Sequence, residues 1–116
     1  MNRRSYDPER ASALLPLLRS ITAEIRERSE AAESIARAIV DLGTSRRARE
    51  RRGELEADLS VQRRELRVAR RELERLGCTL DQDHPLRVLI PGEDRGRGFT
   101  WDPKDERLES FELLSN

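Results

Sequence analysis

Two seams spaced alternately three and four residues apart dominate this chain. The first runs through Ala11, Leu14, Leu18, Ile21, Ile25, Arg28, Ala32, Ile35, Ile39 and Leu42, and the second through Leu55, Leu59, Gln62, Leu66, Ala69, Leu73 and Leu76. A mean period of 3.5 residues is the signature of a coiled-coil seam, and only Arg28 and Gln62 interrupt its apolar character. The seams are mirror images about positions 43 and 44. Leu14 falls opposite Leu73, Leu18 opposite Ala69, Ile21 opposite Leu66, Ile25 opposite Gln62, Arg28 opposite Leu59 and Ala32 opposite Leu55. Helices with that symmetry bury both seams by folding back on each other, so the pattern predicts a long antiparallel two-helix coiled-coil hairpin.

Local signals set the ends of the helices. Asp7 before Pro8 and Glu9 is a helix start, because the carboxylate accepts from free first-turn amides and proline suits the first helical position. Gly43 and Gly77 close the two runs with the residue that most readily enters the left-handed region. The predicted helices are 8–42 and 45–76, the first about 50 Å long at 1.5 Å per residue. Pro16 lies inside the first, where it removes a backbone donor and crowds the preceding turn, so a kink is expected near Ser12.

After Gly77 the period changes to two. Leu86 to Ile90, Phe99 to Trp101 and Glu109 to Leu113 read as three short strands separated by Pro, Gly and Asp. This C-terminal β-meander, 86–113, would place Leu86, Val88, Ile90, Phe99, Trp101, Phe111 and Leu113 on one face and cover Leu15, Leu17, Leu76 and Leu80 at the open end of the hairpin. The expected fold class is α+β, mainly α. With 116 residues, 35% hydrophobic, 3% aromatic and 40% charged, the chain has material for one narrow aliphatic core, and 1–116 is read as a single domain.

Charge removes some functions and leaves others open. The 23 basic and 23 acidic residues cancel, so no global field favours nucleic acid or an anionic membrane. Locally, residues 43–76 hold 11 basic and 7 acidic groups (+4), and 77–116 hold 5 and 9 (−4). Arg46, Arg47, Arg49, Arg51 and Arg52 crowd the hairpin tip with Glu50 alone to offset them, a candidate contact for phosphate, nucleic acid or an acidic protein. The bland alternative is a solvated face in a chain whose basic residues are all arginine except Lys104. No aromatic lies between Tyr6 and Phe99, so base stacking at the tip is excluded, and nucleic acid is not the favoured partner.

Catalytic chemistry finds little support. Cys78, Asp81, Asp83 and His84 fall within seven residues but lack paired CxxC or HxxxH spacing, and a polar connector is the better reading; no metal or cofactor is expected. His84 is the single imidazole, Gly92, Gly96 and Gly98 match no phosphate-binding fingerprint, and Asp102 and Asp105 sit on expected turns. One cysteine allows no intrachain disulfide, no apolar run approaches the roughly 20 residues of a membrane span, and no signal-peptide core precedes Tyr6. A cytoplasmic protein without enzymatic activity is expected.

At the distal end Ile35 faces Arg52, Ile39 faces Ala48 and Leu42 faces Ser45, leaving Ile35, Ile39, Val40 and Leu42 without good apolar partners. Apolar surface of that kind marks an interaction site. These four residues are therefore the expected interface of a homo-oligomer, a dimer or tetramer built around a four-helix bundle, or of a contact with another protein. The expected function is interaction or assembly, the alternative being an RNA- or ribosome-associated factor that uses the arginine tip.

The string Ala13-Leu14-Leu15-Pro16-Leu17-Leu18 preceded by Tyr6, the heptad hairpin, Glu74-Arg75-Leu76-Gly77-Cys78-Thr79-Leu80 and a short tryptophan-containing β tail together resemble the domain of unknown function 2203 family of bacterial helical-hairpin proteins. The resemblance covers nearly the whole chain, and the Leu-Leu-Pro string and the Leu-Gly turn are its specific parts. The tail departs from the family pattern, lacking an Asp-Phe-Pro string after the turn and a late Trp-His pair, with Ser110-Phe111 near that place. The resemblance implies the architecture and carries no activity.

Overall fold

The computed structural model describes residues 5–83, 86–93 and 97–112. In chain order it contains α1 (Pro8–Ala13), α2 (Leu15–Val40), α3 (Arg46–Arg75), β1 (Thr79–Leu80), β2 (Val88–Pro91), β3 (Arg97–Trp101) and β4 (Glu109–Glu112). The fold is mainly helical, with α2 and α3 packed as a hairpin and a small antiparallel sheet towards the C-terminus. Two compact units result: a sheet-bearing unit, Met1–Thr22 with Arg71–Asn116, and a hairpin unit, Ala23–Arg70.

In the sheet-bearing unit, Asp7 caps α1 as expected, its Oδ1 accepting from the Arg10 amide at 2.7 Å. The predicted kink is a full break at Leu14, between Ser12 and Pro16. Proline has no N–H to return to Ser12 and disfavours helical geometry at the residue before it. The chain responds with a tightened turn, Leu14 N–H donating to Ala11 O at 3.1 Å, before α2 starts at Leu15. At the other end, α3 closes in a Schellman arrangement. Gly77 takes φ 79°, the Cys78 amide reaches Leu73 O at 3.2 Å, and the Gly77 amide reaches Glu74 O at 2.8 Å.

Among the described residues the sheet has four strands in the order β1-β2-β3-β4, all antiparallel. The three expected strands are β2 to β4, and the two-residue β1 adds to them by pairing Thr79 with Leu89 and Leu80 with Val88. Leu86 is not in a strand and takes φ 68°, a left-handed conformation unusual for a branched side chain. In β4 the register pairs Ser110 with Phe99 and Phe111 with Gly98, so Phe111 is not in phase with Phe99 and Trp101 as the alternation predicted. Leu113 lies outside the described residues.

The core of this unit is Tyr6, Ala11, Leu18, Ile21, Leu73, Cys78, Val88, Ile90 and Trp101, each almost wholly buried. Of the leucines expected beneath the sheet, Leu15, Leu76 and Leu80 are half-buried and Leu17 is 46% exposed. Polar groups that accompany the apolar ones inward are satisfied. The Tyr6 hydroxyl donates to Leu76 O at 2.8 Å, taking up a carbonyl that the end of α3 leaves free. The Tyr6 amide donates to Pro91 O at 3.0 Å beside a parallel bridge to Gly92, tying the N-terminal segment to β2. A Cβ at Gly92 would stand 2.8 Å from Arg97 O, so only glycine lets the β2–β3 connection close this tightly. Trp101 Nε1 donates to Asp105 O at 3.0 Å, and the Arg19 guanidinium lies 5.6 Å from the Trp101 ring.

In the hairpin unit the seam is thinner. Ile25, Leu55, Leu59 and Ala69 are buried, while Ala32 and Leu66 are half-buried. The two polar positions of the seams meet: Arg28 Nη1 donates to Gln62 Oε1 at 3.1 Å, and Arg28 Nε bonds Glu24 at 2.7 Å. A guanidinium inside a seam is tolerable when its donors find partners or water; Arg28 has these two partners and keeps about a third of its side chain exposed (34%). The Glu24 bond raises the Arg28 pKa, with the fields of Glu65 and Glu27 acting in the same direction.

Candidate functional site

The hairpin tip is built by two helix ends and five connecting residues. α2 stops at Val40, two residues before the expected end, with Leu42 N–H making a tight bond to Ile39 O at 3.2 Å. Gly43 has open space around it, and α3 begins at Arg46 behind Ser45. Ser45 is the N-cap: its Oγ accepts from the Ala48 amide at 3.1 Å and its carbonyl from Arg49 at 3.0 Å. This cap faces Ala48 inward, 8% exposed, and sends the arginines around it outward.

Arg46, Arg47, Arg49 and Arg51 are exposed and Arg52 is half-buried. Arg46 lies 3.8 Å from Glu50 and Arg51 lies 2.8 Å from Glu54, both along the helix surface. Arg47, Arg49 and Arg52 form no ion pair among the described residues. The tip can therefore present to an anion three guanidinium groups that are uncompensated among the described residues.

The apolar residues of the tip divide unevenly. Ile35, Ile39 and Leu42 are half-buried, whereas Val40 is 82% exposed. Farther along α3, Val61 and Val68 are 42% and 46% exposed. They escaped the seam reading because they lie off both seams, and their spacing of seven on a polar face was the available signal.

The polar connector after α3 does not assemble a reactive centre. Cys78 is fully buried, its Sγ 3.9 Å from Leu76 O, and burial pushes the thiol up to about 11. Such a thiol stays protonated and is a poor nucleophile or ligand. Asp81 Oδ1 accepts from the Asp83 amide at 2.9 Å, an Asx turn within the connector, and His84 lies outside the described residues. Among the described residues no three His, Cys, Asp or Glu side chains converge as a metal site would require. Nor, among them, is any helix long and apolar enough to cross a membrane.

No curated protein and no solved structure matches the chain. A family profile described as an uncharacterized conserved protein matches residues 4–111, from just before Tyr6 through β3 and into β4, and by that match the chain belongs to the domain of unknown function 2203 family.

Proposed function

We propose that this chain is a non-enzymatic assembly protein of the bacterial cytoplasm whose hairpin unit binds further copies of itself. The observation that carries the reading is the exposure of Val40, 82% open at the end of α2 beside the half-buried Ile39 and Leu42. Val61 and Val68 add separate exposed apolar positions on α3. A two-helix unit has one seam to bury, and association with a second hairpin supplies the missing side of a bundle. The test is the solution mass by light scattering across a hundredfold concentration range, for the native chain and for Ile39→Asp with Val40→Asp. A dimer or larger assembly that dissociates in the variant supports the reading, and a native monomer throughout the range overturns it.

A second reading rests on Arg47, Arg49 and Arg52, which lack ion-pair partners among the described residues. It makes the tip a contact for RNA or the ribosome. Binding of a structured RNA would then weaken steeply with salt and vanish when these arginines become glutamine. Salt-independent binding, or none, ends that reading.

A further inference from the structure

Much of the charge of α3 is sorted by face, with Arg47 on the acidic flank and Glu56 and Glu74 on the basic one as exceptions. Along one line, at steps of three and four, stand Arg49, Arg52, Glu56, Ser60, Arg63, Arg67 and Arg70. Along another stand Glu50, Glu54, Asp58, Val61, Glu65 and Val68. Arg63 and Glu65, two residues apart, are separated by roughly 160° around a helix of 3.6 residues per turn, so the lines occupy opposite flanks. Each line lies within the hairpin unit, and the basic one runs about 30 Å.

Sorting of this kind works against the isolated helix. α2 places opposite charges four apart, pairing Glu24 with Arg28 at 2.7 Å and Glu33 with Arg37 at 3.8 Å. α3 has such pairs at its start, Arg46 with Glu50 at 3.8 Å and Arg51 with Glu54 at 2.8 Å, but it also stacks like on like: Arg63 before Arg67, Glu50 before Glu54, Glu54 before Asp58. Like charges at that spacing repel, and an opposite charge from outside the helix would relieve the stacks that Arg46 and Arg51 do not meet. Arg63, Arg67 and Arg70 are exposed and form no ion pair among the described residues, and the same holds for Asp58. The half-exposed Val61 and Val68 sit in the acidic line, giving it apolar area to bury.

We infer that the basic line of α3 in one copy docks on the acidic, valine-bearing line of α3 in a second copy. A polyanion would satisfy the arginines but would leave the acidic line on the opposite flank without a partner and both valines in water. A second copy meets all three needs at once. Because the lines lie on opposite flanks, each copy offers them to different neighbours, and such a head-to-tail contact continues past two copies. This inference rests on the self-association proposed above and adds the surfaces that make it.

The experiment uses two full-length variants, each with helix content checked by circular dichroism. The basic variant line carries Arg63→Glu, Arg67→Glu and Arg70→Glu; the acidic one carries Glu54→Arg and Asp58→Arg, leaving Glu65 to its field on Arg28. The native chain should grow in mass past a dimer with concentration at 0.05 M salt and shrink at 0.5 M. Each variant alone should remain at monomer mass, and an equimolar mixture should regain assembly, because each reversed line then meets its complement. A misfolded variant could not be rescued by mixing. If the native chain associates but the variants associate equally well alone, or their mixture stays monomeric, this pairing is wrong while self-association stands. A monomeric native chain overturns both.

Discussion

The sheet-bearing unit and the hairpin unit share two helices, yet they hold themselves together differently. In the first, groups from distant parts of the chain interlock: Tyr6 bonds Leu76, Trp101 stands beneath Arg19, and Leu18, Cys78, Val88 and Ile90 are shut off from water. In the second, burial is confined to one seam, a polar layer of Arg28 and Gln62 crosses it, and Val40, Val61 and Val68 remain open. Layers of secondary structure can close a small core, whereas a pair of helices alone always leaves outer flanks exposed. The part that needs a partner is therefore the part made only of helices.

The sharpest way to break this contrast is Trp101→Ala. Trp101 is 1% exposed, and its loss should cost about 3–5 kcal/mol in urea denaturation, a large share of the stability of a domain this size. A cost under about 1 kcal/mol would mean that the sheet-bearing unit is not the tighter one. Tyr6→Phe keeps the ring and removes the bond to Leu76 O, so about 1–2 kcal/mol should be lost. Hydrogen exchange should show that loss in β2, to which the Tyr6 backbone is tied.

In the hairpin unit the expected effects are smaller. Ser45→Ala deletes the cap on α3 and should cost about 1 kcal/mol, visible as faster exchange in the first turn of that helix. Arg28→Met with Gln62→Met replaces the polar layer by apolar groups and should leave stability within about 1 kcal/mol of native or raise it, since desolvation offsets much of what such a layer contributes. A loss above about 3 kcal/mol would show instead that this layer anchors the hairpin.

One effect is confined to alkaline pH and is absent at neutrality. Burial raises the Cys78 thiol from 9.0 to about 11, so between these values the unfolded chain has lost a proton that the folded chain keeps. Stability should then decline as pH rises from about 9 and level off above 11, and Cys78→Ala should flatten that decline. Rapid reaction of the native thiol with a disulfide reagent at pH 8 would contradict its burial.

Much of the architecture was legible because it is written in short-range spacing. The mirror seams predicted the hairpin, Asp7 and Gly77 marked ends found where expected, and Pro16 foretold the interruption that falls at Leu14. The candidate tip was legible only in part. Counting charges located its arginines, but capping by Ser45 and the inward turn of Ala48 decide how the helix presents them. Tyr6 gave no spacing signal, since its partners are 70 and 85 residues away.

What the sequence alone determined is periodicity: helices where apolar residues recur every 3.5, strands where they alternate, a turn where glycine follows leucine. Only the tertiary structure decided which polar groups meet. The seams set Arg28 opposite Leu59, yet a long guanidinium reaches the neighbouring Gln62; alternation set Phe111 in phase with Phe99, yet strand pairing gave that place to Ser110. The physical reason is the same in both cases. Hydrogen bonds are satisfied by whatever group lies within about 3 Å in space, and chain spacing fixes a residue's face but not the partner that comes to meet it.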